Sequence, residues 1–339
     1  MATQHQQISI DKFGAASSLH VSNLAPRPPA DDEVAIDVAY SGVNFADIQM
    51  RLGFYPDAPK KPFVPGYEVS GRVAAVGKKV TGLRVGDQVI AGTYFGGYAS
   101  HVTIPARQVF KLPESVDLAE GAAIPVNYFT AQLALFEMAR VRKGDRVLIE
   151  CATGGVGVLA IQMAKHAGAE VTGLTTSVHK KGFIEELGAI AYTREEFRTS
   201  SSLRGYDMIL NASGGAEINW QRARLGITGR MVCIGMSSGV KDGKRNFARI
   251  ALAAVRMPRI SVLKLFDAST GIYALNALNV LRDPTWIERL TKSMSDVDAL
   301  GLRPHVGKVF EASDVSSAHA FLETKQATGK VLLHWPTAN

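Results

Sequence analysis

The stretch that decides the fold spans residues 146–176 and reads RVLIECATGGVGVLAIQMAKHAGAEVTGLTT. Its apolar run at 147–149 is typical of a short strand that is buried on both faces. A glycine-rich turn, ATGGVG, follows, and apolar residues then recur at helical spacing until Gly168 ends the helix. A second apolar run occupies residues 171–174. The pattern therefore predicts a strand, a glycine turn, a helix and a second strand.

The glycine turn suits the binding of an anion. Glycine lets the backbone approach a pyrophosphate, and the helix that follows offers unpaired N–H groups and a favourable dipole at its N-terminus. The usual dinucleotide fingerprint has three glycines, and Ala152 stands at the first of these positions here. We expect a dinucleotide site at Gly154, Gly155, Val156 and Gly157. The alternative is a tight turn that binds no ligand.

The length and composition are those of a globular protein. With 339 residues, the chain can bury a large core and form two domains. Its apolar content of 46% and charged content of 20% are ordinary. The net charge of +7 comes from scattered lysines and arginines, with no dense basic run. This distribution favours attraction for a phosphorylated cofactor, and we expect no nucleic-acid partner.

The cysteines and the apolar runs indicate the compartment. Cys151 and Cys233 lie in apolar, strand-like runs, so we expect buried free thiols in a reducing environment. Residues 1–14 lack an apolar core of signal-peptide length. No uninterrupted apolar run approaches the ~20 residues of a membrane-spanning helix, so no transmembrane segment is expected. These observations predict a cytoplasmic protein.

The pattern of apolar residues changes along the chain. Up to about residue 100, short strand-like pieces at 33–39, 71–76 and 88–91 are separated by turns rich in proline and glycine. Such a pattern predicts an antiparallel, partly barrel-shaped domain. From residue 118 onward, strands alternate with helices, which predicts an α/β domain with a doubly wound parallel sheet.

Individual elements can be placed in the second half of the chain. Helices are expected at 128–139, 180–187, 216–225 and 313–323. Strands are expected at 189–192, 206–211, 230–235, 269–275, 304–310 and 330–334. A polar connection is expected between 192 and 206. Residues 241–266 are expected to form a helix that Pro258 ends, followed by a loop before Phe266.

The chain resembles the medium-chain dehydrogenase/reductase superfamily over nearly its whole length. The motifs of that superfamily occur in order: SGVNFADIQMRLGFYP, VPGYEVSGRVAAVG, GDQVIA, ATGGVG, GRMVCIG and TGKVLL. Among its branches, the chain is similar to the zinc-independent quinone oxidoreductases and enoyl reductases, particularly those of the vesicle-membrane-protein type. The resemblance implies a GroES-like catalytic domain at 1–125, an NADPH-binding Rossmann domain at 126–272, and a return to the catalytic domain at 273–339.

Zinc-dependent members of the superfamily hold their metal at positions that carry other residues here. Asn44 stands at the position of the first cysteine ligand, Tyr67 at that of the histidine, and Val126 near the third. An amide and a phenol are poor zinc ligands, so we expect no metal. Without a Lewis acid, hydride addition to a quinone or to the β-carbon of an α,β-unsaturated carbonyl is easier to support than reduction to an alcohol.

The resemblance implies three candidates for the reaction itself. The amide of Asn44 could hold the substrate carbonyl or the nicotinamide ribose, or it could cap a turn. Tyr55 matches the tyrosine that enoyl reductases of the superfamily use as a proton donor, the alternative being a packing role. Tyr67 could donate a second hydrogen bond or form an apolar wall, and the sequence leaves both open.

The end of the second strand bears on the choice of cofactor. NAD-specific enzymes carry an acid there, which binds the ribose hydroxyls and repels a 2′-phosphate. Here the position is Thr175, followed by Thr176 and Ser177, with Lys180 and Tyr192 further along. Hydroxyls and a lysine suit a phosphate dianion, whereas a carboxylate would not. The sequence therefore predicts NADPH rather than NADH.

The resemblance implies further cofactor contacts, a substrate class and an assembly. The remaining cofactor candidates are Asn127, Thr130, Asn211, Gly235, Met236, Gly271, Ile272, Tyr273, Gly329 and Lys330. For the first two, helix packing is the alternative. Aromatic loop residues suggest a small hydrophobic or aromatic substrate. Because relatives pair the edge strands of their cofactor sheets, a homodimer through the strand at 269–275 is expected.

A different class of function is also possible. The protein could be an NADPH-binding adaptor or a membrane-associated protein with little catalysis. Residues 251–265 mix basic and apolar side chains, which suit an anionic lipid surface. A cover for the active-site entrance is the alternative for the same segment.

Overall fold

The computed structural model describes residues 5–237 and 258–336. The described residues divide into two compact units. The first comprises 5–126 and 281–336, and the second comprises 127–237 and 258–280. The domain boundaries after residues 125 and 272 stay a prediction.

The strands and helices are numbered here in chain order. The described strands are β1 (His5–Ile10), β2 (Leu19–Leu24), β3 (Glu33–Val43), β4 (Glu68–Val76), β5 (Gln88–Gly92), β6 (His101–Pro105), β7 (Val109–Lys111), β8 (Arg146–Ile149), β9 (Glu170–Thr175), β10 (Ile190–Thr193), β11 (Tyr206–Asn211), β12 (Leu225–Cys233), β13 (Gly271–Ala274), β14 (Val306–Glu311) and β15 (Lys330–His334). The described helices are α1 (Phe45–Arg51), α2 (Leu118–Gly121), α3 (Pro125–Gln132), α4 (Gly155–His166), α5 (Lys181–Glu186), α6 (Arg194–Thr199), α7 (Glu217–Arg222), α8 (Val262–Ala268), α9 (Ala277–Val280), α10 (Pro284–Ser293), α11 (Asp296–Ala299) and α12 (Val315–Glu323).

The second unit is built on a parallel sheet. In its described part, six strands lie in the order β10-β9-β8-β11-β12-β13, and neighbouring strands run parallel. Counted from β8, this is the 3-2-1-4-5-6 order of the Rossmann fold. The order reverses between β8 and β11, and ligands of such sheets bind there, beyond the carboxyl ends of the strands. The predicted doubly wound sheet is confirmed.

Apolar side chains explain why this sheet forms. Val147, Leu148 and Ile149 of β8 are fully buried, as expected for a central strand. A cluster of buried residues packs on the sheet and comprises Leu148, Leu174, Phe197, Tyr206, Ile209, Ile218 and Met231. At about 25 cal/mol per Å² of apolar surface, such burial is the main stabilising contribution to a unit of this size.

The first unit contains a mainly antiparallel sheet. Its described strands lie in the order β14-β15-β3-β4-β5-β7, with β6 also paired to β3, and β1 and β2 form a separate hairpin. The strand pairs are antiparallel except for β14 with β15, which run parallel. The predicted GroES-like sheet domain is confirmed, with this one parallel pair as a departure from the expected pattern.

The polar connection expected between β10 and β11 is wrong, because the helix α6 lies there. The Thr193 hydroxyl accepts a hydrogen bond from the Glu196 amide at 3.1 Å, and the Glu196 carboxylate accepts one from the Thr193 amide at 2.7 Å. This reciprocal pair is a capping box, which satisfies two donors at the helix start. Phe197 is fully buried and anchors the helix. The Thr-x-x-Glu spacing was a readable helix signal.

Two further expectations need correction. The loop predicted before Phe266 is wrong, since this residue lies within α8. The preceding helix was predicted largely over residues 241–257, which lie outside the described residues. Cys151 and Cys233 are free, as expected, but they are half-buried rather than buried. Cys233 is the last residue of β12, and Cys151 lies two residues after β8, where each apolar run is followed by a loop.

Two properties of the described residues bear on assembly. The strand β13 ends the parallel sheet, so the predicted edge strand at 269–275 is confirmed. Within residues 5–237 and 258–336, no helix combines the length and the apolar character needed to cross a bilayer.

Candidate functional site

A buried cluster of polar side chains forms in the first unit where three elements begin. Asn44 precedes α1, Glu68 opens β4, and Lys330 opens β15. The Lys330 ammonium contacts the Glu68 carboxylate and donates a hydrogen bond to Asn44 Oδ1 at 2.6 Å. Asn44 Nδ2 donates to Glu68 Oε1 at 3.1 Å. We call these three residues the Lys330 cluster.

Two members of the Lys330 cluster, Glu68 and Lys330, are almost completely removed from solvent, and Asn44 is half-buried. The side chain of Glu68 is 0% exposed and that of Lys330 is 5% exposed. Glu68 Oε2 also accepts a hydrogen bond from the Val126 amide at 2.8 Å. A Cβ atom on Gly42 would lie 2.5 Å from Glu68 Oε1, so glycine leaves the space that the carboxylate fills. A buried charge of this kind is tolerated because each oxygen has donors.

The Asn44 amide is therefore already engaged within the protein. Its oxygen accepts from Lys330 and its nitrogen donates to Glu68, with the Gly42 carbonyl 3.5 Å away. The cluster holds a lysine ammonium beside Asn44. Contact of Asn44 with substrate or ribose stays a prediction. The cluster itself was missed, although Asn44 and Lys330 were both among the cofactor candidates.

The two candidate tyrosines lie close together, as the site hypothesis requires. The ring centroids of Tyr55 and Tyr67 are 6.4 Å apart, and Phe95 lies 5.5 Å from Tyr67. The Tyr67 hydroxyl lies 3.5 Å from Met50 Sδ. Burial raises the pKa of Tyr55, opposed by its hydrogen bond with Tyr67, and burial also raises the pKa of Tyr67. Both phenols therefore stay protonated at neutral pH and can act as donors.

A second buried network fixes the start of α1. The Asp47 carboxylate is fully buried. It accepts hydrogen bonds from the backbone N–H of Asn44 at 2.8 Å, the backbone N–H of Gly66 at 3.2 Å and the Tyr98 hydroxyl at 3.2 Å. The Tyr98 hydroxyl also lies 3.1 Å from His319 Nε2. Burial raises the pKa of Asp47 to about 7, and burial lowers the pKa of His319 to about 3. We call these residues the Asp47 network.

The Asp47 network predicts two opposing effects of pH on stability. Asp47 has a pKa of about 3.9 in the unfolded chain and of about 7 in the native protein. Its contribution to the free energy of unfolding is therefore lost as pH rises from about 3.9 to about 7. Native His319 stays neutral down to pH about 3 against an unfolded value of about 6.5, so its contribution is lost as pH falls. For each residue, the free energy of unfolding changes by up to about 1.4 kcal/mol per pH unit within its range.

Asp47→Asn should therefore make stability rise more steeply with pH between about 4 and 7 than in the wild type. His319→Gln should have the opposite effect, with stability falling as pH rises over the same range. Urea unfolding at several pH values measures both slopes. Unchanged slopes in both variants would contradict the assigned protonation states.

The glycine turn of the second unit has the backbone packing that a pyrophosphate site needs. A Cβ atom on Gly157 would collide with the Cys151 carbonyl and lie 2.8 Å from the Ala152 backbone. Gly154 precedes α4, and Gly155, Val156 and Gly157 form its first turn. The first amides of this 12-residue helix are thus directed beyond the carboxyl end of β8.

Two candidates from α3 lie beside the glycine turn. A Cβ atom on Gly155 would be 2.5 Å from Asn127 Nδ2, so this side chain packs directly on the turn. Asn127 and Thr130 are 3% and 8% exposed. The structure therefore brings Asn127 to the turn, one helical turn from Thr130. Their contact with a nicotinamide stays a prediction.

The end of β9 borders a cavity of about 360 Å³. The cavity is lined by Thr176, Val178, Thr193, Arg194, Glu195 and Arg198. Only Thr176 among these residues was a candidate. Thr175 is 5% exposed, and its hydroxyl accepts a hydrogen bond from the Ser177 amide at 3.3 Å. The two arginines and the threonine hydroxyls are side chains that suit a phosphate, whereas the Glu195 carboxylate is not.

Lys180 and Tyr192 were the other two residues predicted to bind the 2′-phosphate, and they follow Thr176 in the sequence. Lys180 immediately precedes α5, and burial lowers its pKa, an effect that the electrostatic interaction with Cys151 opposes. Tyr192 lies opposite Leu174 in the sheet, and the Lys181 ammonium is 6.0 Å from the centre of its ring.

An ion pair and several hydrogen bonds join the carboxyl ends of three strands. The buried Glu150 follows β8, and its Oε1 lies 3.0 Å from Arg194 Nη2. Glu150 Oε2 accepts hydrogen bonds from the amides of Ala212 and Ser213 at 2.9 and 3.0 Å. Asn211 Nδ2 donates to Glu150 and to Gln221 Oε1. Asn211 therefore organises the loop after β11, and neither Glu150 nor Arg194 was among the candidates.

The remaining candidates lie in three places. Gly235 and Met236 follow β12, and Met236 is 49% exposed. Gly271, Ile272 and Tyr273 lie in the edge strand β13. Gly329 has φ of +73° and a Cβ there would collide with the His305 carbonyl, so the turn before β15 requires glycine whatever else it does.

Two family models match the chain. The alcohol dehydrogenase GroES-like domain matches residues 30–114, and the zinc-binding dehydrogenase model matches residues 187–333. The first range includes Asn44 and Tyr67, which were predicted to stand at metal-ligand positions of the zinc enzymes, and that correspondence stays a prediction.

Individual relatives point to the same superfamily. Mouse synaptic vesicle membrane protein VAT-1 homolog-like is 28% identical over 98% of this chain and 82% of its own length. Mouse quinone oxidoreductase-like protein 2 is 30% identical over 93% of this chain and 88% of its own length.

Solved structures agree with these relatives. The crystal structure of the CurK enoyl reductase has a TM-score of 0.82 at 28% identity, covering 98% of this chain and 100% of that chain. A mycobacterial protein complexed with NADPH has a TM-score of 0.84 at 25% identity, with the same coverage. Together with the Rossmann sheet and the GroES-like sheet, these matches show that the chain belongs to the medium-chain dehydrogenase/reductase superfamily, alongside VAT-1 homologues and quinone oxidoreductases.

Proposed function

We propose that the protein is a zinc-independent, NADPH-dependent reductase that transfers hydride to a quinone or to the C=C bond of an α,β-unsaturated carbonyl. The observation that carries the proposal is the Lys330 cluster. Asn44, at the first metal-ligand position, is tied to Glu68 and Lys330 by hydrogen bonds of 3.1 and 2.6 Å. Asn44 is thus held by an ion pair of the protein itself, which satisfies both its side-chain oxygen and its side-chain nitrogen.

The donors in the first unit suit an oxygen that gains charge during reduction. When hydride reaches the β-carbon of an enone, or a quinone, the oxygen becomes an enolate or phenolate and needs hydrogen bonds. The protonated phenols of Tyr55 and Tyr67 are such donors, and Phe95 adds an apolar wall. A flat hydrophobic substrate fits these aromatic side chains.

The second unit provides features that fit NADPH, which supplies the hydride when bound. The glycine turn at 154–157 and the start of α4 would hold the pyrophosphate through backbone amides. Thr176 and Lys180, with the cavity that contains Arg194 and Arg198, would hold the 2′-phosphate. The NADPH complex of the mycobacterial relative supports this choice.

Loss of nicotinamide absorbance tests the proposal with quinones, enones and enoyl thioesters as acceptors. We expect turnover with NADPH and much less with NADH. If Tyr55 is the proton donor, Tyr55→Phe should lower kcat for enones by about 10²-fold while quinones are less affected. Tyr94→Phe is the matched control, since Tyr94 is an aromatic neighbour of Phe95 outside the tyrosine pair. Failure of calorimetry to detect NADPH binding would remove the central claim.

We also propose a homodimer that pairs two copies of β13. The support is that β13 ends the sheet and that α8, which shortly precedes it, exposes large apolar side chains. Val262, Leu263 and Phe266 are 77%, 78% and 81% exposed. Light scattering during size exclusion should give twice the chain mass, and a monomer would contradict the pairing.

The exposed side chains of α8 also favour a second candidate function, that of an NADPH-binding adaptor at membranes. Arg259 and Lys264 flank the apolar residues and suit anionic lipid. Co-sedimentation with phosphatidylserine vesicles at low and high salt separates the two candidates. Salt-sensitive binding without turnover supports the adaptor, and turnover without vesicle binding supports the reductase.

A further inference from the structure

Three strands of the first unit bring two imidazoles and a carboxylate together at its surface. These residues are His5 on β1, Asp37 on β3 and His101 on β6. Asp37 and His101 lie directly opposite each other in the antiparallel pair, and the ring centroids of His5 and His101 are 4.7 Å apart. One nitrogen of each ring and one carboxylate oxygen all lie within 4.8 Å of one another. None of the three belongs to the Lys330 cluster or to the Asp47 network.

To hold a tetrahedral metal, the three ligand atoms must adjust from separations of up to 4.8 Å. Ligand atoms at about 2.0 Å from zinc lie about 3.3 Å from each other. His101 Nδ1 and Asp37 Oδ1 are 2.8 Å apart, joined by a hydrogen bond. A metal ion would replace the proton of that bond, so the pair has only to open slightly. The opposite positions of the two residues in the sheet hold their Cβ atoms at a fixed distance, which limits the entropy lost on binding.

One side of the cluster is open to solvent. The His101 side chain is 9% exposed whereas that of Asp37 is 55% exposed, so an ion can enter from the side of the carboxylate. Arg72 lies opposite Asp37 in the sheet, but its guanidinium donates to the Gly86 carbonyl at 3.3 Å.

We propose that His5, Asp37 and His101 form a binding site for a divalent transition metal such as Zn²⁺. Two imidazole nitrogens and a carboxylate oxygen are a donor set that zinc accepts, with water completing the tetrahedron. The site is separate from the positions at which the zinc enzymes of the superfamily hold their metal. By joining β1 to the main sheet, the metal stabilises the attachment of the N-terminal hairpin.

Calorimetric titration of the tag-free, chelator-treated full chain with Zn²⁺ tests the proposal. We expect a single saturable site, and His5→Gln or His101→Gln should remove it. Asp37→Asn should weaken Zn²⁺ binding, because it replaces one of the three protein ligands by an amide, which is a poor zinc ligand. The matched control is His20→Gln, an exposed histidine on the neighbouring strand β2 that should bind like the wild type.

Two further measurements keep the outcome decisive. Co²⁺ should give the visible spectrum of nitrogen and oxygen ligation, whereas an intense thiolate band would assign the metal to Cys151 or Cys233 and overturn the proposal. Saturating Zn²⁺ should raise the Tm of the wild type and of His20→Gln but not of His101→Gln. Equal Zn²⁺ affinity in wild type and His101→Gln, with both folded by circular dichroism, would also overturn it.

Discussion

Replacing Lys330 by methionine is expected to lower the free energy of unfolding by about 3–5 kcal/mol, one of the two largest effects predicted for this chain. The variant keeps most of the side-chain length but removes the ammonium between Glu68 and Asn44. The Glu68 carboxylate is 0% exposed and would retain donors only from Asn44 and the Val126 amide. Leaving the buried Glu68 carboxylate without its cation lowers the free energy of unfolding by far more than the Glu68–Lys330 pair contributes to it.

A second substitution distinguishes this cause from loss of packing. Combining Lys330→Met with Glu68→Gln removes the stranded charge, so the double variant should regain part of the lost stability. Lys292→Met is the control, since that lysine is 74% exposed and pairs only across a helix surface. Its effect should stay within about 0.5 kcal/mol. Urea unfolding measures all three variants, and a single Lys330 variant as stable as the wild type would refute the assignment.

The Lys330 cluster also illustrates why part of the site was beyond sequence reasoning. The strand β15 and its bounds could be predicted, because Lys330 opens a short apolar run. The contacts of Lys330 with Asn44 and Glu68 could not be predicted, because these three residues meet only through the register of β15, β3 and β4. In that register Val331 lies opposite Val43, and Ser41 lies opposite Val69. No local pattern encodes such long-range pairing.

The parallel sheet was easier to predict because its signals are local. The strand at 206–211 was placed at its true bounds, because its centre, Met208 to Leu210, is an apolar run typical of a buried strand. The glycine turn is equally local, and packing against Ala152 explains the glycine at 157. Arg194 was missed for the opposite reason. Its partner Glu150 lies two strands away in the sheet, and only the folded order β10-β9-β8 brings them together.

The second large effect concerns cofactor choice, and it depends on the proposed function. Lys180→Gln is expected to raise the Kd for NADPH by about 10–100-fold, the loss of one charge-assisted hydrogen bond to phosphate. The Kd for NADH should change little, since that cofactor has no 2′-phosphate. Calorimetry or cofactor fluorescence with both nucleotides measures the ratio directly. Equal weakening of both would show that Lys180 does not recognise the phosphate.

The neighbouring lysine provides a matched control for this experiment. Lys181 Nζ lies 3.1 Å from both carboxylate oxygens of Glu196, so its charge is already balanced within the protein. Lys181→Gln should therefore leave the NADPH to NADH ratio close to that of the wild type. If Lys181→Gln has the larger effect, the phosphate is recognised next to Tyr192, where the Lys181 ammonium lies.

The two arginines that line the cavity should differ in role, one recognising the 2′-phosphate of NADPH and the other also stabilising the fold. Arg198 lines the cavity of about 360 Å³ without a described ion pair, whereas Arg194 is held by Glu150 at 3.0 Å. Arg198→Gln should thus lower NADPH affinity alone, in the same direction as Lys180→Gln. Arg194→Gln should also destabilise the fold, because it leaves the buried Glu150 carboxylate without its cation. Selective loss of NADPH binding in Lys180→Gln and Arg198→Gln, without loss of stability, would locate the phosphate between them.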